Sequence, residues 1–153
     1  MAVQNKTSPE RRQHVIQAAQ IGAGLQVVCV LLPLLDLWVF GSIARNVEAA
    51  YPTWAPGEIA GDRNAIVIYL VTVGVLGLLG WFATIWAAKR GRGVRTTVTT
   101  LFALGMVTLI ITAGISGEAY EQIVPLWLGL TLLFIPVLPG LAALLAAWSR
   151  NNK

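Results

Sequence analysis

Asp36 is the one carboxylate set inside an apolar run, in "LLPLLDLWVF" at residues 31 to 40. Two kinds of chemistry suit an acid there. It can carry a proton or a cation through a membrane, or it can hold structure by accepting hydrogen bonds. Hydroxyls at similar depth in other apolar segments are candidate companions: Tyr69 and Thr72, Thr112, and Thr131. Thr72 lies seven residues from Ala65, Thr131 seven from Val124, and Thr112 three from Ile115. Asp36 lies seven residues before Ile43, about 10 Å below the outer edge of its segment at helical rise. If the four faces converge, these residues form one intramembrane polar cluster around Asp36, which then faces the bundle interior. The competing reading is structural. Threonine hydroxyls commonly return a hydrogen bond to their own helix, and Asp36 is then a satisfied buried acid.

Other chemistry finds little support. His14, the single histidine, sits beside Arg11 and Arg12 in a polar stretch. No Lys, Arg or His shares a span with Asp36, and no two carboxylates share a span, so metal-assisted or glycosidase-type hydrolysis has no residue set. There is no phosphate loop, dinucleotide fingerprint, nucleophile elbow or zinc motif. Cys29 is the only cysteine, which excludes an internal disulfide and a cysteine-rich metal site. The acids Glu48, Glu58, Asp62, Glu118 and Glu121 are scattered over two connections and read as solvated charges. No metal and no cofactor is expected.

The elements that carry these residues are set by composition. Of 153 residues, 56% are hydrophobic and 12% charged, and the mean hydropathy is +0.70. Soluble domains carry about 25% charged residues. The chain therefore belongs to the membrane class. Hydropathy gives four spans, at about 21–43, 65–88, 97–115 and 124–148, each long enough to cross about 30 Å of hydrocarbon as a helix. The expected fold is an all-α membrane protein, a single four-transmembrane-helix bundle occupying 1–153. Residues 1–20 form a cytoplasmic N-terminal segment, and 44–64 form an external loop broken by Pro52, Pro56, Gly57 and Gly61. Tyr51 and Trp54 suit the headgroup layer there, and Asp62 and Asn64 are candidate caps for the second span.

Charge placement gives the orientation. Lys6, Arg11, Arg12, Lys89, Arg90, Arg92, Arg95, Arg150 and Lys153 fall on one side, and Arg45 and Arg63 on the other. Both termini are expected in the cytoplasm, with a bacterial inner membrane as the setting. This placement also accounts for a net charge of +4 without a nucleic-acid partner. The stretch "TSPE" at 7 to 10 signals a helix start, with Ser8 as cap, Pro9 in the first turn and Glu10 at the positive dipole end. The first helix is expected to run from there into the membrane. "SIA" at 42 to 44 resembles a leader cleavage site. The apolar run continues past Asp36, however, and the first span is expected to stay attached.

Packing signals complete the reading. Gly22, Cys29 and Asp36 recur at seven-residue spacing, one helix stripe. Gly22, Gly74, Gly77 and Gly80 are candidate helix-packing positions. Pro33, Pro136 and Pro139 are candidate kinks. The layout resembles that of the small multidrug transporters, four-span dimers with a carboxylate in the first span. The long external loop, the long N-terminal segment and an acid placed after a proline depart from that pattern. The leading functional expectation is a non-enzymatic bundle that binds a partner. The alternatives are a small proton- or cation-coupled transporter using Asp36, and an intramembrane enzyme. The expected partners are the lipid bilayer and another membrane protein or a second copy of the chain.

Overall fold

The computed structural model describes residues 9–115 and 122–149. Ser8, Lys6, Glu118, Glu121, Arg150 and Lys153 lie outside the described residues. The protein is an all-α, multi-pass membrane bundle. Its elements are α1 (Pro9–Leu35), a π-helical turn (Asp36–Phe40), α2 (Ser42–Ala50), α3 (Pro56–Arg90), α4 (Val94–Gly114) and α5 (Leu126–Trp148). Four of them are long and apolar enough to span a membrane: α1 with its π turn, α3, α4 and α5.

The pattern of α1 explains its central place. Its buried positions are Val15, Ala19, Gly22, Gln26, Cys29 and Pro33, followed by Asp36 in the π turn. The spacing alternates four and three. That is the seam of a helix wound left-handedly against its neighbours. α1 packs on α3 and α5, and α4 packs on the same two helices from across the bundle. Two apolar clusters close the ends. Val15, Ala88, Val94, Val98, Ala143 and Ala147 gather at the end where the described chain starts and stops. Ile43, Val47, Ile66, Val67, Leu70, Val124 and Leu128 gather at the other.

Three of the four expected packing glycines sit at close approaches. A Cβ on Gly22 would lie 2.6 Å from the Trp81 ring, one on Gly74 2.8 Å from Val30, and one on Gly77 2.8 Å from the Gln26 amide. Gly80 differs, because a Cβ there would meet nothing within 4 Å. Gly22→Leu should therefore destabilise the detergent-solubilised protein by about 1–3 kcal/mol through overpacking. Gly24→Leu, on the open side of the same helix, should be neutral or mildly stabilising. Thermal melts followed by tryptophan fluorescence compare the two. Equal losses would contradict the close packing of α1 on Trp81.

The region 44–64 is not a loop. The first span ends at Phe40, and Ile43 belongs to α2. Ile43 and Val47 are one turn apart and fully buried, while Arg45 and Glu48 are exposed. This short amphipathic face gains its stability from packing on α3 rather than from its length. α3 then starts nine residues earlier than Ala65. Pro56 occupies its first turn, where a missing N–H costs nothing. The Glu58 carboxylate accepts the Ala55 N–H at 2.8 Å. Gly57 and Gly61 thus lie within the helix, and Asp62 and Asn64 sit inside it rather than capping it. Only residues 51–55 remain as a connection, with the Tyr51 and Trp54 rings stacked 3.9 Å apart. α3 has 35 residues, about 52 Å of helix. It must project beyond a hydrocarbon core of about 30 Å. α5 stays helical through both Pro136 and Pro139.

Candidate functional site

Asp36 is completely buried, and its partners are local. Oδ1 accepts the Ser42 N–H at 3.1 Å and also the Ser42 hydroxyl. Oδ2 accepts the Ile43 N–H at 2.9 Å. The preceding chain makes this possible. Pro33 has no N–H to give the Cys29 carbonyl, so the helix is already one bond short there. The backbone then widens into a π turn, in which the Gly41 N–H donates to the Asp36 carbonyl at 2.6 Å. Gly41 has φ 59° and ψ 25°, a left-handed conformation that a side chain would disfavour. That reversal brings the start of α2 back over Asp36. Gly41 has no side chain to cap α2, so a carboxylate from six residues upstream caps it instead. The negative group also suits the positive end of the helix dipole. Trp38, Val39 and Phe40 of the turn are exposed, and the break is tolerated because Asp36 itself satisfies the backbone donors of Ser42 and Ile43.

The four hydroxyls expected around Asp36 are placed elsewhere. Thr72 donates to the Ile68 carbonyl at 2.7 Å, and Thr131 to the Trp127 carbonyl at 2.7 Å. Tyr69 and Thr112 do meet, with oxygens 2.8 Å apart, and join α3 to α4. Thr112 already gives its proton to the Thr108 carbonyl at 2.9 Å, so the phenol donates in that pair. None of the four bonds to Asp36, whose two oxygens are taken up by the start of α2.

The larger feature is a cavity of about 570 Å³ between α1, α3, α4 and α5. Its wall along α4 runs from Val98 to Ile115, about 25 Å at helical rise. Gly80 of α3, Gly105 of α4 and Gly129 of α5 all line it, and a Cβ on any of them would meet nothing within 4 Å. Glycines on membrane helices usually mark close contact. Here three helices turn glycines toward open space, which widens the cavity. Leu70 and Val124 belong both to this wall and to the apolar cluster under α2. Asp36 is not among the lining residues.

The sequence reading missed two buried polar residues that line the cavity, Thr84, whose hydroxyl donates to the Gly80 carbonyl at 3.0 Å, and Gln26. Gln26 is buried at 7% exposure. Its amide nitrogen donates to the Gly74 carbonyl at 3.2 Å, and its oxygen accepts the Trp81 indole N–H at 3.4 Å. The signal was present. Ala19, Gln26 and Pro33 form a second seven-residue series, interleaved with Gly22, Cys29 and Asp36. Among the described residues no three of His, Cys, Asp or Glu lie close enough to hold a metal. Set beside known proteins, the chain matches no family model, no curated protein and no solved structure.

Proposed function

We propose that this protein is a non-enzymatic membrane bundle that holds one long apolar chain, acyl or isoprenoid, in the cavity between its spans. The volume and shape of that cavity carry the reading. The cavity is partly open between the helices, since Leu76, Leu104 and Leu126 of its lining are exposed, so an apolar chain can enter it from the side. Its wall runs about 25 Å along α4 and is mostly apolar, so a long hydrocarbon chain matches both its length and its chemistry.

The transporter alternative loses support at Asp36. A carrier must reach the transported ion, and Asp36 lies outside the cavity wall with both oxygens engaged. The test of the leading reading is native mass spectrometry of the protein released from mild detergent, with lipid extraction. One stoichiometric lipophilic molecule should remain bound after exhaustive detergent exchange. Release of every lipid at the rate of bulk lipid would remove the proposal.

The orientation belongs to the same reading, with the end carrying both termini in the cytoplasm of the cell membrane. Gly57→Cys and Arg92→Cys, each made in a Cys29→Ala background, should label oppositely. A membrane-impermeant thiol reagent added to intact cells should reach the first and not the second. Labelling of Arg92→Cys from outside would reverse the orientation.

A further inference from the structure

The wall of the cavity carries no charge: the described residues that line it include no Asp, Glu, Lys, Arg or His. A group held deep inside it must therefore be neutral, because a buried ion without a partner is costly. The wall still has polar side chains within the spans, namely Gln26, Trp81, Thr84, Thr108 and Thr112. The threonines donate their protons to the carbonyls of Gly80, Leu104 and Thr108 in their own helices. The Trp81 indole N–H is given to Gln26. Gln26 is different. Its orientation is unambiguous, since the Gly74 carbonyl can only accept and the indole N–H can only donate. A side-chain amide has two N–H donors, and the Gly74 carbonyl takes one of them at 3.2 Å. The other has no acceptor among the described residues.

A buried N–H without an acceptor is costly, and Gln26 is 7% exposed. Gln26 and Cys29 are the residues that α1 contributes to the cavity wall, so the amide is open to whatever fills the cavity. The α3 side has no room to supply the acceptor, because a Cβ on Gly77 would already lie 2.8 Å from the amide nitrogen. We propose that Gln26 gives its second N–H to a neutral carbonyl oxygen on the chain that occupies the cavity. That chain is then an ester, a ketone or a quinone rather than a plain hydrocarbon. The inference rests on the reading of the cavity as a site for a lipophilic chain, and it adds the group that fixes the chain's position. A carbonyl oxygen needs a donor and brings no proton of its own. Within the spans the wall offers it one strong donor, Gln26, beside the weak thiol of Cys29. A few placed polar groups in an otherwise apolar pocket are what set orientation and selectivity.

The experiment loads the delipidated full-length protein in detergent with methyl hexadecanoate, a prenylated benzoquinone or hexadecane. After exhaustive detergent exchange the retained probe is extracted and quantified by chromatography, each probe normalised to its partition into empty micelles. Wild type should retain the ester or the quinone about tenfold better than the alkane, the ratio that one hydrogen bond to a buried donor supports. The better retained of the two names the class of chain. Q26L should bring the ratio close to unity while still retaining hexadecane. A purely structural Gln26 would lower retention of every probe alike, and an unchanged ratio in Q26L would overturn the proposal. Should Q26L fail to fold, the infrared carbonyl stretch of isotope-labelled ester bound to wild type decides. A band at lower frequency than in hexane shows the hydrogen bond, and a band at the hexane position overturns it. Equal retention of all three probes by wild type would remove this proposal and leave the cavity reading standing. Retention of none would remove both.

Discussion

Asp36→Asn should lower the melting temperature of the detergent-solubilised protein, and Asp36→Leu should lower it further. Both oxygens of Asp36 accept backbone N–H groups, from Ser42 and from Ile43. Neither donor can turn into an acceptor. An asparagine keeps one oxygen and points an NH₂ at the other N–H, so one buried donor loses its partner. That costs about 1–3 kcal/mol. Leucine strands both backbone donors, so the loss is roughly twice as large. Had the partners been hydroxyls, as the sequence suggested, asparagine would have been tolerated, because a hydroxyl can reverse its role. Ser42→Ala removes only the hydroxyl bond and should cost about 1 kcal/mol. The order wild type, Asn, Leu is the signature of a helix cap. A stabilising Asp36→Leu would contradict it. The effect should also reach the cavity. α2 rests on the cluster that includes Leu70 and Val124, which also line the cavity.

Filling the cavity should have the other large effect. Gly80→Phe with Gly129→Phe places two rings into space that faces no atom within 4 Å. Neither glycine holds a left-handed backbone, so the substitutions carry no conformational strain. Co-purifying lipophile should fall by about tenfold or more, the loss that follows from about 1.4 kcal/mol of binding. The delipidated double variant should melt above delipidated wild type, because the rings restore contacts that an empty void lacks. Unchanged lipid content together with lower stability would mean that the space is already closed in the membrane.

The bundle itself was legible in the sequence because apolar length is a strong signal. The expected helix start at "TSPE" falls at the edge of the described residues, where α1 is already helical at Pro9. What failed was reasoning by depth. Matching Asp36 with Tyr69, Thr72, Thr112 and Thr131 assumed that equal depth implies a shared face. The acid is instead consumed by its own chain six and seven residues on, through a π turn that linear spacing does not reveal. The glycine rule failed in an instructive way at Gly80. Sequence shows that a residue is small, and only packing shows whether a neighbour uses the room. α2 was hidden because Pro52 and Pro56 read as loop breakers. In the structure they bound a helix end and a helix start.

The most direct measurement of the central claim is photolabelling of the full-length protein in membranes containing a long-chain acyl lipid with a diazirine near the chain terminus. Adducts are then mapped by peptide mass spectrometry. An occupied cavity predicts adducts on inward residues such as Trp81, Phe102, Met106 and Leu133, and their loss in Gly80→Phe/Gly129→Phe. Adducts on the outward residues Val75, Leu79, Val107 and Ile110 should be equal in both proteins. Labelling confined to the outward residues in wild type would contradict the claim that a lipid chain occupies the bundle.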